Sequence, residues 1–395
     1  MTIDFNVITD RRGTCSEKWN VKENELPMWV ADMDFPAAPC IRRAIEQRVA
    51  HGVFGYSTLP DAWYEAYRNW WGQHHGLDIC REELIFAAGV IPALSSAIRE
   101  FTASGDKILI QTPVYNHFFH SILNNGRQVA ENPLLYRDGK NGMDFEDLEE
   151  KLSDPQVTML ILCNPQNPVG KIWSREDLAR VGSLCRKHHT VVFSDEIHCD
   201  LTAPGKAYVP FASVDENCRM NSITAVAPTK AFNIAGIHSA AVLVPEEGLR
   251  QRISHALRAD EIAEPNAFAV DATLAAFSDE GWEWMVSLRG YIDENKKAVY
   301  DFIDKELPGI YALPQDATYL MWLDISRYTD QSDVFQRFLR EKTGLYVTPG
   351  TIYGGNGNHF LRLNVACPRS MLEDGLERFR EGLKLWRAEK EKIIG

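Results

Sequence analysis

The sequence predicts an α/β fold, with a mainly parallel mixed sheet in a large domain and a smaller α+β domain. Short apolar segments rich in β-branched residues are typical of strands that are buried on both faces. Amphipathic helical segments alternate with them, and this alternation is typical of a parallel sheet. The segments with strand character span 83–88, 107–111, 157–163, 190–194, 221–227 and 239–244.

The order of the elements changes after about residue 264, and this change predicts the smaller domain. A long helical pattern is followed by segments typical of a strand, a helix and a second strand. These segments span 264–306, 317–325, 332–341 and 359–366. We expect residues 46–284 to form the large domain, and residues 1–45 and 285–395 to form an N-terminal arm plus a small C-terminal domain.

The charge of the chain argues against two classes of partner. The 395 residues carry a formal net charge of −13 at pH 7 and contain no basic block, whereas nucleic acid and anionic membranes require clustered lysine and arginine. The N-terminal segment has no apolar core behind a basic start, and the uncharged stretches are too short to cross a bilayer. We therefore expect a protein that binds neither nucleic acid nor membrane.

The cysteines indicate a reducing compartment. The chain has eight of them, scattered and without a CxxC motif, and in a chain without a secretory signal these are typical of reduced thiols in a cytoplasmic protein. A metal site through His198, Cys199 and Asp200 has little support, because the side chains of adjacent residues point in different directions. We therefore predict no metal site.

A glycine joins the first strand segment to a helical pattern in "AAGVIPALSSAI" (87–98). Gly89 allows a tight turn, and the N–H groups of Val90 and Ile91 then begin a helix whose N-terminus is suited to an anion. An ordinary connection between a strand and a helix would have a similar sequence. This motif alone leaves both interpretations open.

Two segments that follow strands carry candidate polar side chains. In "NPQNPVG" (164–170) the prolines predict a rigid loop that holds Asn167 in place, with a structural turn as the alternative. In "VVFSDEIHCDL" (191–201) Asp195 ends a strand, and a buried carboxylate there needs a positive or hydrogen-bonding partner. A helix N-cap for Asp195 and a satisfied core histidine for His198 are the structural alternatives.

Two further candidates lie beside other strands. Tyr115, in "QTPVYNHFF" (111–119), offers either core packing or a flat wall for a flat ligand. Arg362 alternates with apolar residues in "HFLRLNVA" (359–366). An inward-facing guanidinium at this place forms either a bidentate clamp for a carboxylate or a structural ion pair.

Lys230 is the only residue charged at pH 7 in "SITAVAPTKAFNIAGIHSA", with His238 taken as neutral. Apolar surroundings disfavour the ammonium form, so the pKa falls and the amine becomes a nucleophile suited to imine formation with a carbonyl. A lysine that extends from a loop to solvent is the structural alternative.

Taken together, these residues predict a site for pyridoxal 5′-phosphate (PLP). Lys230 would react with the cofactor aldehyde, and Asp195 would keep the pyridine nitrogen protonated. Asn167 would donate to the ring oxygen, Tyr115 would stack on the ring, and the turn at Gly89 would hold the phosphate. The arginine of the last strand would bind the carboxylate of an amino-acid substrate. Ligands bind at the carboxyl ends of strands in such sheets, where these residues lie.

The same residues carry a resemblance to a known family. Over nearly its whole length the chain resembles the fold-type I PLP-dependent enzymes of the aspartate aminotransferase superfamily, through "NPQNPVG", "SDEIH", "TKAFNIAG" and "RLN". Within that superfamily it is most similar to the cystathionine β-lyase and cysteine-S-conjugate β-lyase branch. "LPMWVADMDFPAAP" (26–39), "FGYS" (54–57), "SDEIHCDL" (194–201) and "APTKAFNIAGI" (227–237) carry this likeness.

The resemblance implies further roles. Val30 and Ala31, with Asp32, would line the substrate side near the carboxylate. Tyr56 would reach the cofactor phosphate of the other subunit in a homodimer with composite sites and would also border the substrate. His198 stands where many aminotransferases have a tyrosine that contacts the ring oxygen.

Two positions depart from the general aminotransferase pattern. His238 stands where many relatives have a phosphate-binding arginine, and Ala227 replaces a frequent serine. Thr229 could supply a hydroxyl to the phosphate. The β-lyase branch tolerates both departures.

The expected reaction is the α,β-elimination of L-cystathionine or related L-cysteine S-conjugates to a thiol, pyruvate and ammonia, with Lys230 as the base at Cα. A class I/II aminotransferase is the first alternative, because it shares every step through Cα deprotonation. A regulatory protein that binds PLP is the second. Tyr64, Tyr319 and Tyr353 are candidates for the walls that select the group on sulfur.

Overall fold

The computed structural model describes residues 3–394 of the chain. The strands in this part are β1 Leu26–Pro27, β2 Leu84–Ala87, β3 Lys107–Ile110, β4 Gln128–Glu131, β5 Leu135–Arg137, β6 Lys140–Gly142, β7 Val157–Cys163, β8 Val191–Asp195, β9 Ser222–Val226, β10 Ala240–Leu243, β11 Tyr311–Ala312, β12 Leu320–Asp324, β13 Leu345–Tyr346, β14 Thr348–Pro349 and β15 Phe360–Asn364. The α-helices are α1 Pro39–His51, α2 Asp61–His75, α3 Val90–Phe101, α4 Asn116–Asn124, α5 Phe145–Leu152, α6 Arg175–Lys187, α7 Glu216–Arg219, α8 Glu247–Ala259, α9 Ala269–Ala276, α10 Asp279–Glu306, α11 Ser332–Thr343 and α12 Arg369–Ile394.

The large sheet has seven strands in the order β2-β10-β9-β8-β7-β3-β4. Strands β4, β3, β7, β8 and β9 are parallel, and β10 runs antiparallel to both of its neighbours. The six predicted strand segments all form strands of this sheet, so the predicted α/β class with a mainly parallel mixed sheet is confirmed. The seventh strand, β4, was not predicted, because its residues are mostly polar or half-buried and it lies at the edge.

A second, antiparallel sheet has the order β11-β12-β15-β14 and packs against α11. The strands and the helix predicted after residue 310 all form, as β12, α11 and β15. The predicted helical region before them forms α9 and α10, and α10 runs across residue 284. The division of the chain into 46–284 and its flanking segments stays a prediction. None of the helices found between residues 3 and 394 is both long and apolar enough to cross a membrane.

The register of the central strands determines where the site lies. Cys163 at the end of β7 pairs with Asp195 at the end of β8, and Asp195 pairs with Ala225 of β9. The loops that begin after these strands therefore leave the sheet side by side at one edge. These are the loops that carry Asn167, His198 and Lys230.

Candidate active site

A cavity of about 300 Å³ lies at this edge of the large sheet. Pockets that bind small molecules and cofactors begin at about this size. The predicted site residues that line it are Ala31, Gly89, Val90, Ile91, Tyr115, Asn167, Asp195, His198, Thr229, Lys230 and His238. The structure therefore brings together side chains that are up to about two hundred residues apart in the chain.

Three predicted residues do not line this cavity. Arg362 lies behind Asn167, to whose Oδ1 its Nη1 donates at 3.2 Å. Val30 is half-buried, and its carbonyl accepts from Asn364 Nδ2 at 2.6 Å. The side chain of Tyr56 is fully exposed, with a relative accessibility of 102%, so within one chain it contributes nothing to this cavity.

One wall of the cavity is suited to an anion. Helix α3 begins at Val90, and the first N–H groups of a helix have no partner within it. Gly89 precedes it with a φ of +157°, and a Cβ atom there would lie 3.2 Å from Cδ of Pro92. The turn therefore requires glycine, and it aims the N–H groups of Val90 and Ile91 at a phosphate-sized ligand.

Asp195 is a buried carboxylate, 4% exposed, that lines the cavity. Its Oδ1 accepts from the Ile197 N–H at 3.1 Å. Burial raises its pKa to about 6, against the opposing effects of that hydrogen bond and of the nearby Lys230 charge. The alternative of a helix N-cap does not apply, because no α-helix begins after this residue. A cationic N–H donor in the cavity would stabilise this charge.

Lys230 reaches the cavity from the loop after β9, and its Nζ donates to the Ala31 carbonyl at 2.6 Å. Burial, together with the positive charge of Arg362, lowers the pKa of Lys230 to about 8. A substantial fraction of the amine is therefore uncharged near neutral pH. This is the state required for attack on a carbonyl or for removal of a proton.

Arg362 is 5% exposed. Its Nη2 donates to the Trp29 carbonyl at 2.8 Å, while Nε has no hydrogen-bond partner among residues 3–394. No carboxylate of these residues forms an ion pair with it, so the alternative of a structural ion pair does not apply. A buried guanidinium without an anion is costly, and a carboxylate-bearing ligand would complete it.

His198 and Tyr115 are neutral walls of the same cavity. Burial, with the positive charges of Lys230 and Arg362, lowers the pKa of His198 to about 3. Its Nδ1 is a buried atom without a hydrogen-bond partner among the described residues. Burial likewise raises the pKa of Tyr115 to about 12. Both side chains are therefore uncharged at neutral pH.

These features fit PLP. The helix N-terminus suits a phosphate, Asp195 suits a protonated ring nitrogen, and the unpartnered His198 Nδ1 suits a polar ring substituent. The Lys230 amine suits an aldehyde. No group of PLP accounts for Arg362, which suits a carboxylate. PLP has no carboxylate, but an amino acid does.

Sequence reasoning missed the residue that holds the Asp195 loop in place. Glu196 is buried directly beside Asp195, and its Oε1 accepts from Ser194 Oγ at 2.8 Å and from the Phe211 N–H at 2.9 Å. Tyr208 donates to Oε2. Burial raises the pKa of Glu196 to about 7. A second acidic residue at the end of an apolar strand was the available signal.

The three candidate wall tyrosines lie in different surroundings. The Tyr319 hydroxyl donates to the Ala31 carbonyl at 2.9 Å, next to Lys230. Tyr353 packs with its ring centroid 5.0 Å from the Arg362 guanidinium. Tyr64 stacks under Arg81 and borders a separate surface groove. Their role in selecting the group on sulfur stays a prediction.

One group of residues outside the cavity has the composition of a metal site. Ligand atoms of His75, Cys199 and Asp200 lie within 4.8 Å of one another. However, Asp200 Oδ1 is engaged by His75 Nε2 at 2.7 Å and by Trp70 Nε1 at 2.9 Å. These contacts account for the arrangement as a hydrogen-bonded cluster that joins α2 to the loop after β8.

The fold and the cavity together define a fold-type I PLP-dependent enzyme. The chain belongs to the aminotransferase class I and II family, whose model matches residues 23–379. It is 43% identical over 388 residues to cystathionine beta-lyase PatB of Bacillus subtilis (strain 168), a match that covers 96% of this chain and 100% of PatB.

Solved structures agree with this family. Cystalysin from Treponema denticola, whose structure contains PLP, is 32% identical with a TM-score of 0.94, covering 97% of this chain and 99% of cystalysin. The PLP-bound C–S lyase from Staphylococcus hominis is 30% identical with a TM-score of 0.91, covering 97% of this chain and 98% of the lyase. The predicted membership of the superfamily and of its C–S lyase branch is confirmed.

Proposed function

We propose that this chain is a PLP-dependent C–S β-lyase that eliminates a thiol from L-cystathionine or a related L-cysteine S-conjugate. The likeness to PatB and to the Staphylococcus hominis C–S lyase along the full chain confirms the predicted reaction class. One observation at the site supports an amino acid as the substrate. It is the buried Arg362, which has no anionic partner among the described residues and lies close enough to lower the pKa of Lys230.

Each residue has a definite task in this reaction. Arg362 binds the substrate carboxylate, with the backbone of Val30 and Ala31 on the same side. Lys230, as a neutral amine, removes the proton from Cα. Bound PLP supplies an acceptor for the electrons left on Cα, so that the bond between Cβ and sulfur can break. The sulfur leaves as a thiolate, which takes up a proton to give the thiol, and water hydrolyses the released 2-aminoacrylate to pyruvate and ammonia.

The remaining residues hold the cofactor. We assign the phosphate to Gly89, Val90, Ile91 and Thr229, with His238 at the rim. Asp195 faces the ring nitrogen, and Asn167 and His198 face the ring oxygen. The ring of Tyr115 stacks on the cofactor. The lining of a single cavity by all these residues supports the assignment.

The test is a panel of cysteine thioethers incubated with purified enzyme and scored for pyruvate and thiol. We expect release from cystathionine or another conjugate, and a loss of at least ~10³-fold in Lys230→Ala, because that variant lacks the base at Cα. Conversion of the cofactor to its amine form with a keto acid product, but without pyruvate, would instead support an aminotransferase. Release from no thioether would refute the lyase.

We further propose that the enzyme is a homodimer whose sites are composite. Tyr56 and its neighbours Val53 and Phe54 are exposed, and a cluster of exposed apolar side chains is typical of a protein interface. In the dimer Tyr56 would reach the cofactor phosphate of the other subunit. We place the enzyme in the cytoplasm, which is supported by eight free thiols.

Complementation tests the composite site. Tyr56→Ala and Lys230→Ala each inactivate every site of their own homodimer. A mixed dimer carries both defects in one site and neither in the other, so a one-to-one mixture should recover about a quarter of the wild-type activity. Mixtures that stay inactive after subunit exchange would show that each subunit builds its own site.

A further inference from the structure

Residues 28–35, here named the strap, pass directly over the Lys230 side of the cavity. The Ala31 carbonyl accepts from Lys230 Nζ at 2.6 Å, and the Trp29 carbonyl accepts from Arg362 Nη2 at 2.8 Å. The strap therefore contacts both the catalytic amine and the guanidinium that binds the carboxylate. Asn364 holds it from below, since its Nδ2 donates to the carbonyls of Val30 and Asp32 at 2.6 Å each.

A charged cluster fixes the other side of the strap. Lys18 and Asp34 are 1% and 2% exposed, and Lys18 Nζ lies 2.6 Å from Asp34 Oδ2. Arg11 bridges the two acids of the strap, with Nη2 2.5 Å from Asp32 Oδ2 and Nη1 2.9 Å from Asp34 Oδ1. Trp19 Nε1 also donates to Asp34 Oδ1 at 2.8 Å. We name Arg11, Lys18, Asp32 and Asp34 the quartet.

The quartet is not explained by its contribution to the stability of the fold. A buried ion pair gains little over apolar packing of the same volume, because both charges lose their hydration. What an ion pair adds is a defined geometry, since two carboxylates and an arginine fork fit in few arrangements. Arg11 also donates to the Met33 carbonyl at 3.0 Å, so the cluster holds the backbone of the strap as well as its side chains.

The charges of the quartet also matter for Lys230. The negative charge of Asp32 acts to raise the pKa of the Lys230 amine. Arg11 and Lys18 neutralise the two acids, so the strap approaches the amine without a net negative charge. Arg11, Lys18 and Trp19 precede residue 23, where the match to the family model begins.

We propose that Arg11 and Lys18 are positioning residues that fix the strap and thereby set the geometry of substrate carboxylate binding. Neither residue lines the cavity, and both act through Asp32, Asp34 and the strap backbone. This inference rests on the function proposed above for its substrate chemistry. Loosening the strap should weaken binding of the carboxylate at Arg362, while the phosphate wall at Gly89, in the turn between β2 and α3, stays unchanged.

The test compares the Lys18→Met and Arg11→Gln holoenzymes with the wild type. Hydrogen exchange of peptides that cover the strap should become at least ~10-fold faster, while exchange of a peptide over residues 89–91 stays unchanged. KM for the thioether substrate should rise ~10-fold or more, with kcat reduced less than ~3-fold. Retention of PLP should equal that of the wild type.

Ligand binding without turnover isolates the carboxylate. Glycine has a carboxylate but no β-leaving group, and methylamine lacks the carboxylate. Spectral titration of the bound cofactor should show glycine binding weakened ~10-fold in both variants, and methylamine binding unchanged. Neither ligand undergoes elimination. These results therefore test the role of the strap in carboxylate binding even if no thioether proves to be a substrate.

Arg219→Gln is the matched control. Arg219 Nη2 forms a partly buried ion pair with Glu83 at 2.6 Å, away from the strap. This variant should alter neither hydrogen exchange of the strap nor glycine binding.

Two outcomes would overturn the proposal. In the first, variants of the quartet lower the melting temperature but leave hydrogen exchange of the strap and glycine binding as in the control. In the second, hydrogen exchange becomes faster uniformly along the chain. If Lys18→Met does not fold, the Arg11→Gln variant tests the proposal alone. The Arg11 side chain is 21% exposed, so its replacement disturbs the core less.

Discussion

Replacement of Asp195 by asparagine should stabilise the cofactor-free protein and weaken the binding of PLP. In the folded chain Asp195 is 4% exposed and forms no ion pair with the described residues. Burial raises its pKa from 3.8 to about 6. A tenfold change in proton affinity corresponds to ~1.4 kcal/mol, so holding the folded carboxylate in its charged form costs ~3 kcal/mol.

The sign of the pH dependence follows from the two pKa values. Between pH 3.8 and about 6 the folded protein binds more protons at Asp195 than the unfolded chain does. Its free energy of unfolding therefore falls as the pH rises through this window, and the full cost remains above it. Asparagine keeps an oxygen for the Ile197 N–H but does not ionise, so Asp195→Asn avoids this cost.

Urea unfolding followed by tryptophan fluorescence measures the effect. At pH 8 the cofactor-free Asp195→Asn protein should be more stable than the wild type by up to ~3 kcal/mol, and near pH 4 the two should be nearly equal. PLP should bind ~10- to 150-fold more weakly to the variant, because a charge-assisted hydrogen bond is replaced by a neutral one. A variant that is no more stable than the wild type at pH 8 would refute this account of the site.

Three further outcomes are expected. Arg362→Lys should raise KM for the substrate ~10- to 150-fold in steady-state assays without changing PLP binding, because the bidentate contact is lost; an unchanged KM would contradict this role. Tyr115→Phe should leave the pH dependence of the rate unchanged between about pH 6 and 9, because the phenol, with a pKa of about 12, is neutral throughout; a shifted limb would contradict it. Tyr208→Phe should lower the free energy of unfolding by ~1–3 kcal/mol, more above pH 7 than below it, because the Glu196 carboxylate loses a donor and ionises at about pH 7; equal losses in urea unfolding at pH 5.5 and 8.5 would contradict this.

The elements that sequence could predict are those whose own residues determine them. β7 is a continuous apolar segment, and α6 begins with a capping box of Ser174 and Asp177, a local signal in the sequence. The strands that were missed depend on distant partners instead. β1 and β13, for example, are two residues long each and pair across more than three hundred residues of chain. No local pattern identifies such strands.

The same distinction applies to the site. Asp195 ends a strand of the large sheet, and Asn167 and Lys230 follow two others, so the topology alone brings them together. Arg11 and Lys18 lie in a charged N-terminal segment of the type usually found in solvent, and nothing local reveals that Lys18 is buried against Asp34. Their burial results from the position of the strap, which depends on Lys230, Arg362 and Asn364 far along the chain.

The alternatives for Arg362 show what the structure adds. The sequence allowed either an ion pair or a site for a carboxylate, and only the absence of an ion-pair partner among residues 3–394 separates them. The same holds for Asp195 and for Nδ1 of His198, which are buried beside the cavity without the partners that would neutralise or satisfy them. A chain that folded only for stability would avoid this pattern, because each such group destabilises the ligand-free state. Polar groups of this kind specify a charged ligand closely, whereas the candidate walls for the group on sulfur carry no such signature. The cofactor and the carboxylate can therefore be inferred from the chain itself, and the thiol has to be found by assay.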